Sequence, residues 1–86
     1  MYSDIELNRL RWRSRRGMLE LDLLLVPFFD EMFVALPQEL QQAFIRLLEQ
    51  DDPDLMIWFS RRGQPDDPEL RTLVCMILHR VQPEND

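Results

Sequence analysis

Apolar positions along the chain fall into stretches separated by Gly, Pro and acidic breaks. Leu40, Ala43, Phe44, Leu47 and Leu48 follow the i, i+3, i+4, i+7, i+8 spacing of one helix face. Leu70, Leu73, Val74, Ile77, Leu78 and Val81 form a second such stripe. From Leu23 to Phe33 nearly every position is apolar, which predicts a central helix buried on almost all sides. The first stretch, Ile5, Leu7, Leu10 and Trp12, is sparse and predicts a helix lying on the surface of the core. No segment shows the alternation that a half-buried strand needs.

Start and stop residues place the boundaries. Ser3 with Glu6 three positions on is a capping-box pattern, so the first helix starts at Ser3 and runs towards Ser14. Gly17 interrupts. A second helix follows from about Met18 to Val34, and Pro27 is expected to kink or split it. Pro37 opens a third helix, to about Gln50. Asp52 is a good N-cap for a short fourth helix, with Pro53 at its first helical position and Gly63 as its C-terminal stop. Gln64-Pro65-Asp66 reads as a loop. Asp67-Pro68 repeats the cap-plus-Pro signal and starts a fifth helix, to about Val81. Residues 82–86 are expected to fray. The fold class is all-α, a compact five-helix bundle forming a single domain over residues 1–86.

Composition agrees with a folded helical chain. Two Gly, six Pro, five Phe, five Met and two Trp suit one core rather than disorder. The lone Cys75 excludes an internal disulfide framework and a Cys-based zinc site, and it suits a reducing compartment. The charged N-terminus has no apolar signal core. The seven-residue apolar run from Leu23 to Phe29 is far short of the roughly 20 residues that span a bilayer. A soluble, cytoplasmic protein without membrane insertion is expected.

Charge is uneven. All ten basic residues are Arg, and Arg9, Arg11, Arg13, Arg15 and Arg16 lie within eight positions. Five Arg against Asp4 and Glu6 give residues 1–16 a charge of +3, and the remainder carries −9. A net −6 argues against general nucleic-acid affinity, and no nucleic-acid partner is expected.

Catalytic apparatus is thin. His79, the only His, falls near the end of the fifth helix, where its cation suits the helix dipole. Cys75 lies four residues upstream, so a Cys-His dyad is conceivable on spacing alone, but no third group orients it. The chain shows no nucleotide loop, no metal-ligand cluster and no Gly-rich phosphate cradle. Asp51-Asp52 and Asp66-Asp67 read first as helix caps and breaks. No enzyme, metal or cofactor of its own is expected.

The segment Arg16-Gly17-Met18-Leu19-Glu20 is the exception to this ordinary picture. Gly at such a point destabilises a helix unless a bend or a close backbone approach is wanted. Two readings stand side by side. One is a helix break followed by a Glu that favours the dipole. The other is a Gly-floored notch between a cation and an anion, where a partner backbone could approach while Arg16 and Glu20 make charge-assisted hydrogen bonds.

Residues 12–22, Trp-Arg-Ser-Arg-Arg-Gly-Met-Leu-Glu-Leu-Asp, resemble the Arg-Gly-x-x-Glu signature of the SdhE family, the succinate dehydrogenase flavinylation factors. Pro27-Phe28-Phe29 follows at a matching distance. The block Asp51-Asp52-Pro53-Asp54-Leu55 with Trp58 starts 31 residues after Glu20, and a Gly63-x-Pro65 turn and a final helix complete the likeness. It covers about residues 8–80. The resemblance implies a five-helix protein that binds the flavoprotein subunit of succinate dehydrogenase, and of the related fumarate reductase. It also implies promotion of covalent FAD attachment by positioning rather than by its own catalysis. FAD then belongs to the partner. Arg16, Gly17 and Glu20 match the motif: Arg16 would pair with a partner carboxylate or carbonyl, Gly17 would permit close approach, and Glu20 would accept a hydrogen bond. Arg15, Asp51, Asp52 and Trp58 are further partner-binding candidates, Trp58 having a core-packing reading beside it. A monomer is expected, with a weak homodimer left open. The rival reading is an antitoxin-like or regulatory protein-binding module.

Overall fold

A computed structural model describes residues 2–81 of the chain. The elements are α1 (Asp4–Ser14), α2 (Leu19–Met32), a 3-10 turn (Phe33–Ala35), α3 (Gln38–Leu48), α4 (Asp52–Phe59) and α5 (Pro68–Val81). Among the described residues there is no strand, and the all-α, five-helix expectation holds. The expected fraying at 82–86 lies outside the described residues.

Two helix starts are made by the side chains expected to make them. Ser3 Oγ accepts from the Glu6 N–H at 3.2 Å, and Glu6 Oε1 accepts from the Ser3 N–H at 2.8 Å. That closes the capping box of α1. Before α5, Asp67 Oδ1 accepts from the Glu69 N–H at 2.9 Å, with Pro68 in the first turn. At the end of α1 the fully buried Ser14 donates its hydroxyl to the Leu10 carbonyl at 3.0 Å, so the one buried polar side chain among the described residues is satisfied.

Four features differ from the sequence expectation. First, α2 runs unbroken through Pro27. Proline removes one donor of the ladder, and burial of Leu25, Phe28 and Phe29 on either side holds the helix together. The chain tightens later, at the 3-10 turn, where the Leu36 N–H reaches the Phe33 carbonyl at 3.1 Å. Second, α2 is not buried all round. Leu21, Leu25, Phe28 and Phe29 face inward, whereas Leu19 is 69% and Leu23 59% exposed. A chain of this length has too few elements to enclose one helix. Third, Asp51 rather than Asp52 is the N-cap residue of α4, and Asp52 and Pro53 form the first turn. Fourth, α4 stops on Arg61, not Gly63. Arg61 holds φ +64, and the Arg62 N–H reaches the Ile57 carbonyl at 3.0 Å while the Arg61 N–H reaches that of Trp58 at 3.2 Å. Those two bonds make a Schellman cap with arginine in the position usually taken by glycine. The left-handed backbone costs a side-chain-bearing residue about 1–2 kcal/mol. Gly63 serves closeness instead: a Cβ there would lie 3.0 Å from Ile57 Cγ2.

The core is built on phenylalanine. Phe28, Phe33 and Phe44 are almost completely buried, and Phe29 joins them. Ring centroids lie 4.9 Å apart for Phe29–Phe33, 5.6 Å for Phe33–Phe44 and 5.9 Å for Phe28–Phe44. Burial of each such ring contributes about 1.5–3 kcal/mol. Tyr2 covers the cluster from the side, 5.4 Å from Phe33. The stripes of α3 and α5 meet through buried Leu47, Leu73 and Ile77, and Leu55 of α4 is buried in the same cluster.

Candidate functional site

The turn between α1 and α2 presents a bare stretch of backbone. Gly17 holds φ +86, and a Cβ built there would meet no atom within 4 Å. The glycine is therefore required by backbone conformation and not by internal crowding. Its outer side is free for another molecule.

Asp22 fixes this turn from within α2. One carboxylate oxygen, Oδ1, accepts from the Arg16 N–H at 2.6 Å and from the Gly17 N–H at 3.3 Å. It substitutes for a capping side chain, since the N-cap residue Met18 makes no side-chain bond.

Arg16 fixes the turn from the other side. Its Nε donates to Asp52 Oδ1 at 2.8 Å, Nη1 to the Leu48 carbonyl at 2.7 Å, and Nη2 to the Gln50 carbonyl at 2.7 Å. The side chain is only 15% exposed. Leu48 and Gln50 lie at the C-terminal end of α3, where carbonyls lack helical partners and a cation is favoured. Arg16 is thus a staple between the α1–α2 turn and the α3–α4 corner. The sequence expectation had this guanidinium reaching a partner's carboxylate or carbonyl. In the structure those acceptors belong to the chain itself, and Asp52 is occupied in turn.

What remains outward is different in kind. Glu20 and Asp51 are exposed. Trp12 is 72% exposed, with the Arg15 guanidinium carbon 6.0 Å from its ring centroid. A cation–π contact between two exposed groups contributes about 0.5–1 kcal/mol. Leu19 and Leu23 stand on one helix face at i, i+4. Three large apolar side chains therefore lie exposed within six residues of Gly17 along the chain. Sequence reasoning missed Leu19, Leu23 and Asp22 as contributors. Their signal was the two-residue offset of Leu19 and Leu23 from the inward Leu21 and Leu25.

Six of the seven candidates, Arg15, Arg16, Gly17, Glu20, Asp51 and Asp52, belong to the turn and the corner that the Arg16–Asp52 bond ties together. Trp58 stands apart. It is half-buried at the far end of α4, lining a cleft with Arg61, Arg62 and Arg71.

Three further arginines form ion pairs within the chain. Arg11 joins α1 to Asp30 of α2 through two bonds of 2.8 and 3.1 Å. Arg46 of α3 holds Asp67 and Glu69 at the start of α5, and Arg80 of α5 pairs with Glu31 of α2. Such exposed pairs contribute little each. Cys75 and His79 are both exposed, and no hydrogen bond among the described residues joins them. Among the described residues no cluster of three His, Cys, Asp or Glu side chains could hold a metal. No described helix is long and apolar enough to cross a membrane.

The sequence model of Sdh5, flavinator of succinate dehydrogenase, matches residues 8–81. The chain belongs to the Sdh5 family. It is 55% identical to the FAD assembly factor SdhE of Pseudomonas aeruginosa, over 98% of this chain and 100% of that one. It is 54% identical to the SdhE of Aliivibrio fischeri, over 91% of each. Its fold is similar to the solution structure of a UPF0350 protein, with a TM-score of 0.76 and 37% identity over 100% of this chain and 98% of the other. All seven candidate residues of the Sdh5-family chain fall inside the matched range.

Proposed function

We propose that this Sdh5-family chain is an FAD assembly factor for the flavoprotein subunit of succinate dehydrogenase. It docks through the face centred on Gly17 and promotes covalent attachment of flavin by positioning, with no nucleophile of its own. The flavoprotein of fumarate reductase is a second partner of the same kind. The observation that carries the reading is the Gly17 turn, whose backbone is open outward yet fixed inward by Asp22 and Arg16. A rigid, side-chain-free approach surface suits a protein that orients another's backbone, because a pre-set geometry lowers the entropic cost of the reacting arrangement. The exposed Trp12, Leu19 and Leu23 supply the apolar contact such a face needs. The family description and the names of the relatives support the same role.

Co-expression with the flavoprotein subunit tests this. Acid-stable flavin fluorescence on that subunit in a denaturing gel should rise when the chain is present. Equal fluorescence with and without it would refute the proposal.

A further inference from the structure

The cleft at the far end of α4 is a second candidate site. It has a volume of about 320 Å³ and lies between the end of α4, the loop that follows and α5. Trp58, Val74 and Leu78 line it with apolar surface, and Arg61, Arg62 and Arg71 carry its charge. No lining residue is acidic. Three of the ten arginines thus converge on one cleft in a chain of net charge −6.

These three differ from Arg11, Arg16, Arg46 and Arg80, each of which is paired with a carboxylate. Among the described residues, Arg61 and Arg62 make no side-chain hydrogen bond or ion pair, and Arg71 makes one long bond of 3.5 Å to the Pro65 carbonyl. Arg61 adds an independent observation. It holds φ +64 at the α4 cap, where glycine would relieve the strain, and its guanidinium makes no hydrogen bond or ion pair among the described residues. Backbone strain of this kind clusters at ligand-binding sites.

We infer that this cleft binds an acidic segment of the partner protein that carries an apolar side chain. This rests on the partner-docking reading above. The apolar side chain would enter between Trp58, Val74 and Leu78, and the flanking carboxylates would meet the guanidinia, whose forked donors match carboxylate geometry. A bare phosphate would leave the apolar lining uncovered; a peptide covers both parts. The cleft and the Arg16–Asp52 staple sit at opposite ends of α4, whose eight residues span about 12 Å, a separation shorter than the width of an ordinary protein interface.

The test uses the full chain and a fluorescein-labelled acidic peptide with a central leucine, read by fluorescence anisotropy. Arg61→Gly should bind the peptide about tenfold more weakly while its melting temperature rises by roughly 4 °C. Higher stability with weaker binding separates a binding role from a folding role. A peptide with Asn and Gln in place of the acidic residues should lose affinity as well. Unchanged peptide affinity in Arg61→Gly overturns the inference. So does inorganic pyrophosphate that binds as tightly as the peptide. In co-expression at limiting chain concentration, Arg61→Gly should also lower covalent flavin on the subunit. If peptide binding falls but flavin attachment does not, the cleft does not serve this partner and the inference fails, while the assembly-factor reading stands. Failure of that reading shows separately, as flavin attachment indifferent to the whole chain.

Discussion

The guanidinium of Arg16 and the carboxylate of Asp52 meet at 2.8 Å across 36 residues of chain. The same guanidinium holds two carbonyls at the end of α3. Removing it should loosen the α3–α4 corner and the Gly17 turn together. Arg16→Ala is expected to lose about 1.5–3 kcal/mol, the range for a hydrogen bond to a charged group. Arg16→Lys should recover only part, since a point ammonium cannot reach three acceptors in fork geometry. Asp52→Asn leaves the carbonyl bonds and should cost less than Arg16→Ala. Urea unfolding followed by circular dichroism checks the order. Equal loss in Asp52→Asn and Arg16→Ala would contradict the staple.

Gly17 separates conformation from contact. Gly17→Ala has room for its methyl group but must hold φ +86, so it should be destabilised by about 1–2 kcal/mol. Gly17→Asn tolerates the left-handed backbone better and should fold close to wild type. Its side chain nevertheless covers the backbone that a partner would approach. Covalent flavin on the co-expressed subunit should therefore fall sharply in Gly17→Asn at normal helical content. Full flavin attachment by a folded Gly17→Asn would remove the close-approach argument.

Leu19 and Leu23 should behave unlike the leucines two positions away. Leu23→Gln changes an exposed side chain and should move stability by no more than about 0.5 kcal/mol. Leu25→Ala removes a fully buried one and should cost about 2–5 kcal/mol. Only Leu23→Gln is expected to weaken flavoprotein capture while the fold stays intact. A pull-down that retains wild-type capture in the double variant of Leu19 and Leu23 to Gln would show that the apolar face is not used.

Acid should weaken the start of α5. The Glu69 backbone N–H, and then the Arg46 guanidinium, hold the Asp67 carboxyl below the usual aspartate range. The Glu31 carboxyl is lowered likewise by Arg80. A carboxyl whose folded value is depressed adds its stability in full above the unfolded value, near pH 4, and loses it as pH falls through the folded one. Asp67→Asn keeps a capping oxygen but cannot titrate. Wild type should therefore lose more stability than Asp67→Asn as the pH drops below about 4. Parallel pH profiles of the two urea midpoints would contradict the assignment.

What the sequence revealed was mostly local. The Ser3–Glu6 box and the Asp67-Pro68 start are signals within a few residues, and both are present as read. The stripes of α3 and α5 were legible because one face alone is apolar. In α2 both faces carry leucine, so periodicity hid the outward Leu19 and Leu23. The end of α4 misled for another reason: a nearby Gly63 drew the cap assignment, while Arg61 took the left-handed position. The break between α1 and α2 was legible from Gly17, but the bonds that Arg16 makes within the chain were not. Its acceptors at Leu48, Gln50 and Asp52 come close only once α3 has packed, and no spacing rule links residues that far apart.

The placement of the two tryptophans has an optical consequence. The aromatic core is phenylalanine, while Trp12 stands in water near the Gly17 turn and Trp58 lines the arginine cleft. In a Trp58→Phe chain the emission of Trp12 should barely shift on unfolding, yet move to the blue when the flavoprotein covers it. In a Trp12→Phe chain, Trp58 would report occupancy of the cleft. The protein carries a built-in dye near each end of α4, so docking at one end can be timed against docking at the other.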